Sequence, residues 1–199
     1  MMTNFFEAIE NRRSSYAISK EKVVSEERIQ EIVEHAVKYV PSAFNSQTAR
    51  VLILLDGEHD KFWNNTTDIL KGVVGDGDFT GTQEKMDGFK AGYGTVLFFE
   101  DQEIIHGLQE AFALYADNFP VWSEQSSGMH QFAVWTAFAN EGLGASLQHY
   151  NPLVDGMVAK EWNVPETWKL RAQMPFGKPL QSPGEKEFKP LDERVKVYK

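Results

Sequence analysis

The sequence predicts an α+β or α/β sandwich built on one main sheet, and three observations carry that expectation. Two short apolar runs, Val51-Leu52-Ile53-Leu54-Leu55 and Thr95-Val96-Leu97-Phe98-Phe99, have the length of strands and stand beside glycine or aspartate. Between and around them lie amphipathic stretches of helical period. The chain has 199 residues, 42% of them apolar, and a chain of that size buries roughly 70% of its unfolded surface. No internal repeat or linker interrupts it, so residues 1–199 read as one domain.

Taken in order, Thr3 is placed to cap a helix carrying Phe5, Phe6 and Ile9 on its apolar side. A clearer helix begins at Ser25, with Glu26 and Glu27 in its first turn. There Ile29, Ile32, Val33, Ala36, Val37 and Val40 describe one buried face, and Pro41 ends it. Pro41 to Gln47 is loop. Val51 to Leu55, apolar throughout, predicts a strand covered on both faces. After Asp56-Gly57, the residues Phe62, Thr66, Ile69 and Leu70 mark a helix, and Gly72 to Thr82 reads as a Gly/Asp-rich loop. Gly92 and Gly94 introduce the second central strand. Ile105, Leu108, Phe112 and Tyr115 form another helical face, and Asn118 to Gly128 reads as loop. Met129 to Ala139 is apolar nearly all round, which predicts a central buried helix closed by Gly142 and Gly144. Ala145 to His149 and Leu170 to Phe176 read as further strands. From Gly177 onward, Pro179, Pro183 and Pro190 among lysines describe an extended arm of the kind that reaches a partner subunit.

Composition excludes several classes of function. The net charge is −9, with 29 acidic against 20 basic residues, which argues against a nucleic-acid partner. The absence of cysteine removes disulfides, thiolate metal sites and a cysteine nucleophile, and agrees with a reducing cytoplasm. Met1 to Glu10 carries acidic residues and no long apolar run, so it reads as neither signal peptide nor membrane span. Asp76 to Asp87 imitates a calcium loop but ends on Asp where a bidentate Glu belongs, with polar Gln83 at an apolar position. It reads as a surface loop. No two histidines have metal-binding helical spacing, and no Gly-x-Ser-x-Gly elbow suggests serine hydrolysis. Gly142-Leu143-Gly144 lacks the third glycine of a dinucleotide fingerprint and reads as a helix cap.

Three groups of residues suggest a binding site. Arg12, Arg13, Ser14, Ser15 and Tyr16 combine two fixed cations with small hydroxyl donors, a set suited to a phosphate, although arginines ending a first helix also complement its dipole. Ser42, Asn45, Ser46 and Gln47 crowd neutral hydrogen-bonding side chains into a loop between helix and strand. Such residues serve either as solvated turn chemistry or as a polar rim that reads a ligand edge. Gln148, His149 and Tyr150 close a strand, where sheet ends commonly meet ligands.

Together, Arg12-Arg13-Ser14, Pro41-Ser42-Ala43-Phe44-Asn45-Ser46-Gln47 and Glu141-Gly142-Leu143-Gly144 resemble, in order and spacing, the nitroreductase family. The run Gly92 to Asp101 is similar to the branch holding fungal fatty-acid-regulation nitroreductase-like proteins and bacterial stress-induced nitroreductases. The resemblance implies an α+β three-layer sandwich, a mainly antiparallel sheet flanked by helices. It implies a homodimer with FMN at the interface, and NADH or NADPH as electron donor. The activity it implies is ping-pong hydride reduction of nitroaromatics, quinones or similar flat acceptors; a redox-regulatory flavoprotein with little turnover is the alternative. By motif position, Arg12, Arg13, Ser14 and Tyr16 would surround the FMN phosphate, with Lys189 and Lys186 returning to it from the arm. Ser42, Asn45 and Gln47 would line the flavin from one subunit, and Leu147, Gln148 and His149 from the other. No side chain need be an acid or nucleophile, and no metal is implied. Trp122 and Phe44 are candidates for a stacking floor. Three departures stand out: Tyr16 replaces a common basic residue, Thr48-Ala49 replaces a common Pro-Trp, and the lysine that meets the flavin ring has no clean match beyond Lys85 or Lys90.

Overall fold

The structure, a computed structural model, describes residues 4–199. Its elements are α1 (Phe5–Asn11), β1 (Ile18–Ser19), α2 (Glu26–Tyr39), β2 (Ala49–Leu55), α3 (Asp56–Val74), α4 (Thr80–Lys90), β3 (Gly94–Asp101), α5 (Gln102–Ala111), α6 (Asn118–Asn140), β4 (Gly144–Ala145), α7 (Asp155–Trp162) and β5 (Trp168–Pro179). The strands pair in the order β1-β5-β3-β2, β4 also pairs with β5, and every one of these ladders is antiparallel.

β3 is the central strand, and all eight of its residues are buried. Its alternation divides the molecule into two cores. Val96 and Phe98 pack with Ile29, Ile32 and Val33 of α2 and with Val134 and Phe138 of α6. Leu97 and Phe99 pack with Phe62 and Trp63 of α3, Met86 and Phe89 of α4, and Val158 of α7. Helices therefore cover both faces of the sheet, which is the three-layer α+β sandwich the resemblance implies. Each large apolar side chain buried in these layers stabilises the fold by about 1.5–3 kcal/mol. α2 forms where its pattern predicts. Ser25 accepts a hydrogen bond from the Arg28 amide, and Ile29, Ile32, Val33 and Ala36 face inward.

Several elements differ from the sequence expectation. Thr3 lies outside the described residues, and Asn4 caps α1 in a reciprocal capping box with Glu7. α3 starts at Asp56 rather than after Gly57 and runs on to Val74, so the loop expected over Gly72 to Thr82 shrinks to residues 75–79 before α4. Two thirds of the calcium-like stretch is thus helix, and among the described residues no cluster suits a metal ion. Residues 118–128 are the first half of α6 rather than a loop, because Ser123, Ser126 and Ser127 form its buried side where an apolar stripe would be sought. β4 is two residues long and Ser146 to His149 leave the ladder, with Gln148 alone bridging to Gln173. The Val51–Leu55 run is an edge strand whose Val51, Leu52 and Ile53 remain partly exposed. β5 runs to Pro179, and residues 180–199 are exposed beyond it. No helix among the described residues is long and apolar enough to cross a membrane.

Candidate functional site

Arg12 is where α1 stops: its backbone turns extended and its amide caps the helix by donating to Ala8 O. The guanidinium lies 4.2 Å over the Trp135 ring of α6. Its Nε is buried without a hydrogen-bond partner. Burial and the adjacent Arg13 charge lower its pKa from the ordinary arginine value. A stacked guanidinium with an unsatisfied donor is poised for an anion.

The following residues are fixed by β4. Ser14 bridges Ala145 in parallel, the Ser15 amide donates to Ala145 O at 2.9 Å, and Trp135 Nε1 donates to the same oxygen at 3.1 Å. Arg13 donates to Gly184 O at 2.8 Å, which draws the segment after β5 across the opening. The result is a pocket of about 800 Å³ lined by Arg12, Arg13, Ser14, Tyr16, Phe132, Trp135 and Lys186, among others. It is large enough for a cofactor and carries three cations in a protein of net charge −9. These residues fit a phosphate-bearing group, and the buried orphan donor of Arg12 is the observation that says so.

Ser42, Asn45 and Gln47 lie elsewhere. Their loop rests on the other side of α6, where Ser126 Oγ donates to Pro41 O at 3.0 Å. Ser126 and Trp135 are nine residues apart, about 2.5 turns, and so project from opposite faces of the helix. The loop is strained: Phe44, Asn45 and Gln47 all have positive φ, at 57°, 50° and 49°. Such conformations outside glycine cost about 1–3 kcal/mol each and concentrate at functional sites. The Gln47 amide donates to Ser42 Oγ, and Arg50, paired with Asp101, donates to Gln47 O.

Of the remaining predicted residues, Leu147 packs against the first core. Gln148 exchanges backbone hydrogen bonds with Gln173, and His149 is exposed. None of the three lines the Arg12 pocket, and neither does Lys189, Lys85 or Lys90. Lys186 does. Sequence reasoning missed Trp135 and Phe132, which sit in an apolar helix run and read as core. It also missed Glu100, which is wholly buried beside Thr48, the residue after Gln47. Burial pushes the Glu100 carboxyl up to about 7.

The match to known proteins is continuous with this geometry. The nitroreductase family model matches residues 9–178, from the start of the arginine segment to the end of the sheet. The chain belongs to the nitroreductase family. Among its curated relatives is the Saccharomyces cerevisiae nitroreductase FRM2, 31% identical over 198 residues, covering 98% of this chain and 97% of FRM2. The nitroreductase CinD from Lactococcus lactis, solved in complex with nicotinic acid, is 51% identical with a TM-score of 0.92, covering 98% of this chain and all of that one. A more distant member of the fold, from Desulfovibrio desulfuricans and solved in complex with FMN, is 19% identical with a TM-score of 0.69, covering 100% and 99% of the two chains. At that identity it speaks for the nitroreductase fold alone.

Proposed function

We propose that this nitroreductase-family chain is an FMN-dependent NAD(P)H oxidoreductase reducing nitroaromatics, quinones or similar flat acceptors. We further propose that it works as a homodimer with FMN between subunits. The buried, unpartnered Nε of Arg12, in a pocket lined by three cations and the single carboxylate Glu185, is the observation that carries the reading.

In this reading Arg12, Arg13 and Lys186 neutralise the FMN phosphate and Ser14 donates a hydroxyl hydrogen bond to it. Trp135 holds the Arg12 plane from below, and with Phe132 it keeps one wall of the pocket apolar. Bound there, FMN would supply the electron transfer, taking a hydride equivalent from NAD(P)H and passing electrons to the acceptor. Ser42, Asn45 and Gln47 offer neutral donors and acceptors to the edge of a flat ring. Because they and the phosphate cluster occupy opposite faces of α6, one chain does not close both groups around one cofactor. A second copy supplying the loop satisfies this. Support for such a partner comes from the apolar residues left open on α6, Val121, Met129 and Phe132, and from the unpaired edge of β2. The complexes of CinD, 51% identical to this chain, with chloramphenicol and 4-nitrophenol favour the same acceptor class.

The test is Arg12→Ala. Losing the stacked cation and its charge-assisted hydrogen bonds is expected to weaken FMN binding by about 1.5–3 kcal/mol, read by fluorescence titration of the apoprotein, with NADH-dependent reduction of 4-nitrophenol falling in parallel. Unchanged FMN affinity removes the phosphate assignment.

A further inference from the structure

The loop from Pro41 to Gln47 must be held in its shape by something outside itself. Asn45 tolerates a left-handed backbone, but Phe44 at φ 57° and Gln47 at φ 49° do not favour it. Polar ties act at the ends: Ser126 holds Pro41, Arg50 holds the Gln47 carbonyl, and Ser42 Oγ receives the Gln47 amide. In the middle, the Asn45 amide donates to Ser42 O and the Ser46 amide to Ala43 O. Those two bonds close the turn without fastening it to the rest of the molecule.

The fastening there is the Phe44 ring. Its centroid lies 5.0 Å from Phe112, 5.3 Å from Phe119, and 6.0 Å from both Tyr115 and Trp122, with the Trp122 plane nearly parallel at 22°. These partners come from the end of α5, the turn after it, and the first two turns of α6, so the socket is built by long-range folding. Phe44 nevertheless remains 51% exposed, unlike the core rings of Phe98 and Phe138. A ring that touches four others while half open contributes little to the cores. Its backbone position places it between Ser42 and Asn45.

We propose that Phe44 is a positioning residue: its ring, socketed in Phe112, Tyr115, Phe119 and Trp122, clamps the left-handed loop so that Ser42, Asn45 and Gln47 present their side chains in fixed directions to a flat cofactor. The proposal rests on the reading that this loop lines the FMN. Phe44→Ala keeps the unfavourable φ and removes the clamp, whereas Phe44→Tyr keeps both the ring and the socket.

FMN titration of the apoproteins tests this, with the visible spectrum of the bound flavin as a second readout and circular dichroism as the check on folding. Phe44→Ala is expected to bind FMN about tenfold or more weakly, with flavin absorption bands shifted toward those of free FMN. Phe44→Tyr is expected to restore both. Should Phe44→Ala fail to fold, Trp122→Leu removes the stacked partner while keeping Phe44, and the same loss of affinity is expected. Wild-type affinity and spectrum in a folded clamp variant, in parallel with weakened binding by Arg12→Ala, overturn the clamp and leave the flavin reading standing. Wild-type affinity in both variants removes the clamp together with the phosphate assignment of Arg12, whereas a wild-type protein that takes up no FMN removes the flavin reading itself.

Discussion

Glu100 sits fully buried on β3 with one carboxyl oxygen bonded to the Thr48 hydroxyl and the other without a partner. Desolvation outweighs the nearby Arg171 and Arg50 charges, which is why its pKa rises from 4.5 to about 7. In the fold the group keeps a proton that the unfolded chain has already released. Its favourable contribution is therefore complete below about pH 4.5 and fades as pH rises through 7. Glu100→Gln removes that dependence. The variant is expected to match wild type near pH 5 and to exceed it by about 1–3 kcal/mol at pH 8, measured as denaturation midpoints at the two pH values. Equal stabilities at pH 8 would contradict the raised Glu100 pKa and the cost of ionising this buried carboxyl. His59 works in the opposite sense. Buried against Thr95 Oγ1 and the Lys90 carbonyl, it is depressed to about 4, so stability is lost as pH falls from 6.5 toward that value.

At the scale of elements, the shortest strand controls the site. β4 is only Gly144–Ala145, yet it holds Ser14 and Ser15 in place and its Ala145 carbonyl fixes Trp135. Gly144 is required there because an added Cβ would stand 2.6 Å from Ser15 Oγ and 3.0 Å from Pro179 Cβ. Gly144→Ala is expected to cost about 1–3 kcal/mol of stability and to lower FMN affinity by displacing Ser14, read by urea unfolding and titration. A variant as stable as wild type would show that this contact relaxes freely. The same scale explains what was legible in the sequence. The inward face of α2 follows directly from periodicity and Val96 to Phe99 of β3 from an unbroken apolar run, while Arg12 and Arg13, which line the pocket, stood out as adjacent cations in an acidic chain. The first half of α6 was hidden because its buried side is serine, and a stripe of small polar residues carries no hydrophobic period. The open edge of β2 was hidden because an apolar run does not reveal which strand lies last in the sheet. Trp135 was hidden because a tryptophan in a core helix looks the same whether it packs on leucine or beneath an arginine.

For the whole molecule, a chain of net charge −9 carries a pocket lined by Arg12, Arg13 and Lys186, and α6 separates that pocket from the polar loop that would complete it. This division makes a second copy part of the proposed site. Exposed apolar side chains in the last stretch of chain, Phe188, Leu191, Val195 and Val197, are available for the same partner. The central claim is that the two half-sites meet around a working flavin. The most direct measurement is the visible absorption spectrum of the purified protein supplied with FMN, before and after anaerobic NADH, then NADPH. Bound-flavin bands that bleach with either nucleotide and return on adding 4-nitrophenol are the predicted result. A protein that takes up no FMN, or holds FMN whose bands persist with both nucleotides, would contradict the account.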